Sequence, residues 1–229
     1  MPSALHVAIR SSAIAAAVAT VIAACHKDSP VAPIVPTRVS VTQGSDAQVG
    51  TAGQRLPSSV TVRALDQNGN PMASVAVSWR ILAGGGSLDA AMSTTDAAGD
   101  ALVNWTLGTA ARLDSLQASV GATVSTVVIA IATAGPVTSL KKVGGDQQVP
   151  RGTTSAPIIV QAADQYGNVV AHAPVSWAVQ SGGALSATQT MTDSGGHATV
   201  TLTTDAVAST YTVTARAGAL SVTFVVTGS

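Results

Sequence analysis

The feature that most constrains the fold of this chain is an internal repeat. The segment DQNGNPMASVAVSW at 66–79 returns as DQYGNVVAHAPVSW at 164–177, an offset of 98 residues. The segment TTDAAGDALV at 94–103 returns as MTDSGGHATV at 191–200, an offset of 97. Because a period of about 100 residues is the size of one small domain, the 229 residues divide into two copies of one fold.

The boundaries of the two copies follow from how far the match extends. The offset changes where AGGGSL at 83–88 faces the shorter SGGAL at 181–185. Beyond it we align Leu116 with Val213, Ala118 with Ala215, Gly121 with Gly218 and Ile129 with Val226. The alignment predicts domain 1 at 38–133 and domain 2 at 137–228. The short Pro-containing connection AGPV between them favours a monomeric rod over a hinge.

Within each copy, apolar and polar residues alternate with the period of a β-strand. The inward positions are Val60, Val62, Ala64, Val77, Trp79, Ile81, Ala101, Val103, Trp105 and Leu107 in domain 1, and Ile158, Val160, Ala162, Val175, Trp177, Val179, Ala198, Val200, Leu202 and Thr204 in domain 2. The chain contains no Glu, whereas 21 Gly and 10 Pro supply turns. The pattern predicts an all-β fold of two tandem β-sandwiches, with the three tryptophans in their cores.

The segments DQNGN and DQYGN are predicted to form hairpin turns, because Gly tolerates positive φ and Asp and Asn bond their own backbone. Asp66, Asn68 and Asn70 resemble the first half of a calcium loop. However, Val77 stands where such a loop needs a bidentate Glu, and Tyr166 replaces the middle ligand in the second copy. We therefore predict a structural turn and no metal.

These motifs also carry a family resemblance. The order D-x-x-G-N, V-x-W, a Gly-rich turn and T-D-x-x-G-x-A resembles bacterial immunoglobulin-like domains of group 1, the repeats that build the stalks of intimin and invasin. The resemblance covers both copies. It implies Greek-key sandwiches of immunoglobulin type whose tandem array acts as a spacer or as an adhesive binding module. It does not extend to receptor binding of the intimin kind, since that activity lies largely on terminal domains without a counterpart in these two repeats.

The N-terminal residues 1–24 resemble a secretory signal peptide. Arg10 precedes Ala13 to Ala24, an apolar run interrupted only by Thr20. As an α-helix this run would rise about 18 Å, which is too short for a bilayer core of roughly 30 Å. A charged start followed by a short apolar block is typical of a signal peptide, and the prolines that follow disfavour a buried helix.

The run ends in Ile22, Ala23, Ala24 and Cys25, which resembles the lipobox of bacterial lipoproteins. The resemblance implies that Cys25 is acylated and becomes the mature N-terminus. Cys25 is the only cysteine, and a lone unpaired thiol would be unusual in an exported protein. The alternative is an ordinary signal peptide cleaved near Ala17-Val18-Ala19, which would leave Cys25 free.

Residues 25–37 are predicted to form a Pro-containing tether, since Pro30, Pro33 and Pro36 recur every third residue and favour an extended chain. The residue after Cys25 is His26 and not the Asp associated with retention in the inner membrane. By resemblance, the predicted location is therefore the outer membrane, on its periplasmic face or at the cell surface.

Nothing in the sequence indicates catalysis, a cofactor or nucleic-acid binding. The net charge is zero and Lys141–Lys142 is the only Lys/Arg doublet, whereas nucleic-acid binders need a dense basic face. His172 and His197 do not belong to a zinc-ligand pattern, and His197 aligns with Asp100, which favours an exposed position. Two repeats account for most of the chain, so we expect a protein that is not an enzyme.

The alternative function is that of a carbohydrate-binding accessory module, since many such modules are β-sandwiches. Their sites usually need exposed aromatic rings. With Trp79, Trp105 and Trp177 assigned to the core, Tyr166 and Tyr211 remain as the candidate exposed rings.

Overall fold

The alternating sequence patterns become mostly antiparallel strands, and most of the longer strands bury one face. The structure is a computed structural model that describes residues 33–149, 153–205 and 210–228. In these ranges the regular structure is β-strand, and residues Ile34–Ser229 form one compact unit that contains both sandwiches. The sequence prediction of an all-β fold is confirmed.

Domain 1 contains ten strands in two main sheets. They are β1 (Pro36–Val41), β2 (Gln48–Thr51), β3 (Val60–Asp66), β4 (Ala76–Ala83), β5 (Ser87–Leu88), β6 (Met92–Thr94), β7 (Asp100–Val103), β8 (Trp105–Thr106), β9 (Leu113–Val120) and β10 (Val124–Thr133). One sheet has the order β1-β3-β7 and the other the order β2-β10-β9-β4-β6, while β5 pairs with β8. The chain changes sheet between β3 and β4 and again between β7 and β9, as in a Greek-key sandwich. The first strand includes Pro36 and Thr37, the last two residues of the predicted tether.

Domain 2 repeats this arrangement. Its strands are β11 (Ser139–Gly144), β12 (Ile158–Ala163), β13 (Pro174–Gln180), β14 (Ala184–Leu185), β15 (Gln189–Met191), β16 (His197–Val200), β17 (Leu202–Thr203), β18 (Thr210–Ala217) and β19 (Leu220–Thr227). The sheets have the orders β11-β12-β16 and β15-β13-β18-β19, and β14 pairs with β17. A single parallel bridge from Gln148 to Val226 takes the place that the β2–β10 pairing has in domain 1.

Each sandwich has its own hydrophobic core, with a tryptophan at the same position. Trp79 and Trp177 are 5% and 4% exposed, and Trp105 is fully buried, so the assignment of all three to the core is confirmed. The indole nitrogens of Trp79 and Trp177 donate to the hydroxyls of Ser93 and Thr190, at 2.9 and 2.8 Å.

The two cores exchange a large aromatic ring at one pair of positions. In domain 1 the pair is Trp105 and Asp114, and the corresponding pair in domain 2 is Leu202 and Tyr211. All four residues are fully buried. Domain 1 therefore places its large aromatic ring on β8, and domain 2 places its ring on β18. The exchange changes which strand supplies the ring and keeps a large side chain buried in each core.

The strand pairing bears on two expectations from the sequence. DQNGN and DQYGN form the predicted tight turns, each closed by one antiparallel bridge, Leu65 to Pro71 and Ala163 to Val169. The strands that follow, β4 and β13, lie in the other sheet of each sandwich. The alignment of Ile129 with Val226 is wrong by one residue. The β9–β10 turn is one residue longer than the β18–β19 turn, because Val120 pairs with Val124 whereas Ala217 pairs with Leu220.

The corrected partner of Ile129 is Val225, and both residues make the same backbone contact. The N–H of Ile129 donates to Asp46 at 2.9 Å, and the N–H of Val225 donates to Asp146 at 3.0 Å. A shift of one residue moves a side chain to the opposite face of a strand. Ile129 and Val225 are accordingly both exposed, whereas Val226 is buried.

Candidate functional site

The residues predicted from the sequence are distributed over the molecule and form no single site. Cys25 and the preceding Ile22, Ala23 and Ala24 lie outside the described residues. Tyr166 is exposed, as expected. Tyr211, the other candidate ring, is fully buried, which corrects that expectation. Its hydroxyl donates to the backbone oxygen of Asp205 and lies 2.7 Å from the Asp205 carboxylate, so it anchors the start of β18.

The two histidines do not come together. His172 is exposed, whereas His197 starts β16 and is half-buried, with one ring nitrogen 3.4 Å from the Gln161 amide. Its counterpart Asp100 forms an ion pair at 2.6 Å with Arg63 on the neighbouring strand. The aligned residues Asp100 and His197 therefore both contact a neighbouring strand. His197 is less exposed than the sequence predicts.

Within 33–149, 153–205 and 210–228, no group of three or more His, Cys, Asp or Glu residues is placed to hold a metal ion. The same ranges contain no helix long and apolar enough to cross a membrane.

The structural feature that does bring side chains together is the turn of residues 164–168 in domain 2. The Asp164 side chain organises it: one carboxylate oxygen accepts the N–H groups of Tyr166 and Asn168 at 2.8 and 2.9 Å. Gly167 has a φ of 85°, which glycine adopts without steric cost. The turn is thereby fixed with Tyr166 and Asn168 projecting from its tip.

This turn connects domain 2 to domain 1. The Asn168 amide oxygen accepts the N–H of Ala111 at 2.9 Å, and its amide nitrogen donates to the carbonyl of Thr109 at 2.8 Å. The second oxygen of Asp164 accepts the N–H of Gly135, in the connection between the domains, at 2.9 Å. One turn thus bonds both the preceding domain and the connecting segment.

Tyr166 adds a packing contact at the same junction. A Cβ atom at Gly53 in domain 1 would overlap the hydroxyl and one edge of the Tyr166 ring. The absence of a side chain at Gly53, together with its φ of 74°, lets the ring approach the domain 1 backbone this closely. Tyr166 remains 44% exposed, so part of the ring faces solvent.

A cleft of about 350 Å³ lies beside this contact. Domain 1 contributes Thr51, Ala52 and Gln54, the connection contributes Gly135, Pro136 and Thr138, and domain 2 contributes Asp164, Gln165 and Tyr166. Its walls therefore depend on both domains. Clefts between domains are common locations for ligand sites.

Asp164 is a charged residue at this junction. Burial disfavours its ionised form, but hydrogen bonds from the Asn168 side chain and from the N–H groups of Gly135, Tyr166 and Asn168 outweigh burial, so the pKa of Asp164 lies below its ordinary value. The carboxylate is ionised at neutral pH and is 3% exposed. Its role in this geometry is to fix the turn and the connection.

The equivalent turn in domain 1 has the same internal geometry. Asp66 accepts the N–H groups of Asn68 and Asn70, both at 2.8 Å. The Asn70 side chain donates to Asp66 at 3.2 Å. Within the described residues it makes no hydrogen bond to the other domain like the one between Asn168 and Ala111. The interdomain role of the second turn was missed in the sequence. The replacement of Asn68 by Tyr166 at the tip of this turn is the signal that could have indicated it.

Comparison with solved structures shows the same fold in other bacterial proteins. FdeC, described as an Escherichia coli adhesin, has a TM-score of 0.52 and 20% identity over 83% of this chain and 63% of that chain. InvD of Yersinia pseudotuberculosis has a TM-score of 0.52 and 17% identity over 83% of this chain and 57% of that chain. The D0–D1 fragment of intimin has 21% identity over 83% of this chain and 95% of its own, with a TM-score of 0.33. The chain thus spans less than two thirds of the FdeC and InvD structures.

A comparison with curated proteins found no match. The family model of the bacterial Ig-like domain (group 1) matches residues 39–132 and 141–227, one region in each sandwich. Together these regions cover well over half of the chain, and the protein therefore belongs to the bacterial Ig-like domain (group 1) family.

Proposed function

We propose that this chain is a non-enzymatic protein of the cell envelope, in which two tandem Ig-like domains act as a spacer and adhesive binding module on an N-terminal lipid anchor. The observation that carries the spacer role is the bonded junction, where Asn168 and Asp164 join domain 2 to domain 1 and to the connection. A spacer keeps its extended length only if the connection between its domains does not bend freely, and such contacts restrict bending there.

The adhesive part of the proposal is supported by the family. FdeC, which shares the fold, is described as an adhesin, and the domains here belong to the bacterial Ig-like domain (group 1) family. A role without catalysis agrees with a chain in which the known family domains take up most of the residues.

The anchor is proposed from the sequence. Ile22, Ala23 and Ala24 precede Cys25 as in a lipobox, and His26 favours the outer membrane. Acylation at Cys25 would explain why an exported chain has one cysteine. In this proposal the segment before Pro36 separates the lipid from domain 1, and the protein acts as a monomer.

Mass spectrometry of the N-terminal peptide of the mature protein tests the anchor directly. We expect a peptide that begins at Cys25 and carries acyl chains. An unmodified peptide that begins upstream, for example after Ala19, would refute the lipoprotein proposal and leave a secreted pair of Ig-like domains with a free thiol.

A further inference from the structure

The cleft at the junction has the size and composition of a small binding site. Its volume of about 350 Å³ lies at the lower end of the range of roughly 300–1,000 Å³ that is typical of ligand pockets. Gln54 comes from domain 1, Thr138 follows the connection, and Gln165 and Tyr166 come from domain 2. A ligand here would contact both domains at once.

Tyr166 provides an aromatic surface in this cleft. Its hydroxyl edge packs against Gly53, yet 44% of the residue is exposed. Held by the turn on one side and by the domain 1 backbone on the other, the ring has little freedom to lose when a ligand stacks on it. An aromatic face of this kind suits a flat ligand surface made of C–H groups.

Polar groups surround the ring and are available for bonding. Gln54, Thr138 and Gln165 are exposed, and their side chains make no hydrogen bond with the rest of the chain as far as the structure describes it. Each amide offers two donors and one acceptor, and the threonine hydroxyl offers both functions. Hydroxyl groups, which also donate and accept, match this set.

The charge at the cleft indicates that the ligand is neutral. Apart from Tyr166, Asp164 is the ionisable residue that lines the cleft. Its two carboxylate oxygens already accept four hydrogen bonds, one from Tyr166, one from Gly135 and two from Asn168. It has little capacity left for a cationic ligand, and its buried negative charge disfavours an anionic one.

We infer that the cleft binds an uncharged sugar, a pyranose whose C–H face stacks on Tyr166 while its hydroxyls bond Gln54, Gln165 and Thr138. The inference rests on the proposed binding-module role and adds a ligand class to it. Because the walls come from both domains, bound sugar also stabilises the junction by mass action.

The test is a saturation-transfer NMR titration of the full mature chain, held in a detergent without a sugar headgroup. The probes are methyl β-glucoside, methyl β-galactoside and N-acetylglucosamine, with N-acetylneuraminic acid as the charged comparison. We expect saturable transfer from at least one neutral probe at millimolar concentration, and weaker transfer to the acid. Tyr166→Ala should weaken binding by about tenfold or more, whereas Tyr166→Phe should retain it because the ring face is preserved.

Two further variants separate the sugar site from the junction. Gln54→Ala and Thr138→Ala should weaken binding without removing a described interdomain hydrogen bond. Asn68→Ala, at the position of domain 1 that corresponds to Tyr166, should leave binding unchanged. The absence of saturable transfer for all neutral probes, or equal binding by the wild type and Tyr166→Ala, would overturn the site. Either result would leave the lipid anchor and the spacer role intact, because those depend on the N-terminal peptide and on the junction.

Discussion

The side-chain oxygen of Asn168 in domain 2 accepts the backbone N–H of Ala111 in domain 1, at 2.9 Å. The amide nitrogen of the same side chain donates to the carbonyl of Thr109 and to Asp164, both at 2.8 Å. Within the described residues, its counterpart in domain 1, Asn70, retains only the last of these side-chain contacts, to Asp66 at 3.2 Å. The two asparagines therefore differ by the interdomain bonds.

Asn168→Ala should weaken the junction. The substitution removes one contact within the turn and two between the domains. A hydrogen bond contributes about 0.5–1.5 kcal/mol net, so the loss from the two interdomain bonds should be about 1–3 kcal/mol. We expect a lower unfolding midpoint in urea and a broader distribution of interdomain distances in small-angle X-ray scattering.

Asn70→Ala is the matched control for this prediction, because it removes only the contact within the turn. It should lower the free energy of unfolding by less than Asn168→Ala and leave the scattering profile unchanged. Equal effects of the two substitutions would mean that the bonds from Asn168 to Thr109 and Ala111 do not stabilise the junction in solution.

Acidification should weaken the same junction through Asp164. Hydrogen bonds hold the pKa of Asp164 below its ordinary value of 3.8, so the ionised carboxylate stabilises the folded state. This contribution is fully present above the unfolded-state pKa and is lost as the pH falls through the folded-state pKa. Melting curves recorded between about pH 7 and pH 3 should show this loss.

Other carboxylates titrate in the same range, so the comparison with Asp164→Asn isolates the contribution of this residue. The variant should be less stable than the wild type at neutral pH, and the difference should shrink as the pH falls below 3.8. A difference that stays constant over the whole range would show that ionisation of Asp164 does not contribute to stability.

Trp177→Ala should destabilise domain 2 severely. The indole is 4% exposed, donates to Thr190 at 2.8 Å and lies 6.4 Å from the Phe224 ring between centroids. Removing such a ring typically costs about 3–5 kcal/mol, against a total stability of about 5–15 kcal/mol for a domain. Thermal denaturation should show a much earlier transition for domain 2.

Thr190→Val serves as the control for Trp177→Ala, since it removes the indole's acceptor and retains the ring. The expected loss is about 1–3 kcal/mol, the cost of an unsatisfied buried donor. If Trp177→Ala shifted the melting temperature by no more than a degree or two, about the error of such a curve, the ring would not be part of the core.

The sandwich could be predicted from the sequence because alternation along a strand reports which face is buried. Val60, Val62 and Trp79 follow this rule and are buried as predicted. Alternation does not report the length of a turn. The alternation therefore does not reveal the extra residue between Val120 and Val124, and an alignment with constant offset pairs Ile129 with Val226 instead of Val225.

The junction could not be predicted, because its contacts join residues far apart in the chain. Nothing local to Gly53 indicates that its missing side chain admits the ring of Tyr166. Tyr211 illustrates the same limit: its partner in the alignment is Asp114, so the sequence pattern did not identify it as a core residue. The structure shows that Tyr211 is fully buried and lies near Leu202, since a Cβ atom at Gly183 would approach both side chains.

Cys25→Ser should release the protein from membranes. If Cys25 is acylated, wild-type protein should remain in the membrane fraction after lysis. A single acyl chain binds only marginally whereas two or more hold firmly, at about 0.8 kcal/mol per buried methylene. The variant lacks the thiol that accepts the lipid, so it should be found as soluble protein or as uncleaved precursor. Fractionation followed by immunoblotting measures this, with Ser29→Ala in the same segment as the control that should remain with membranes. Wild-type protein recovered entirely in the soluble fraction would contradict the lipid anchor.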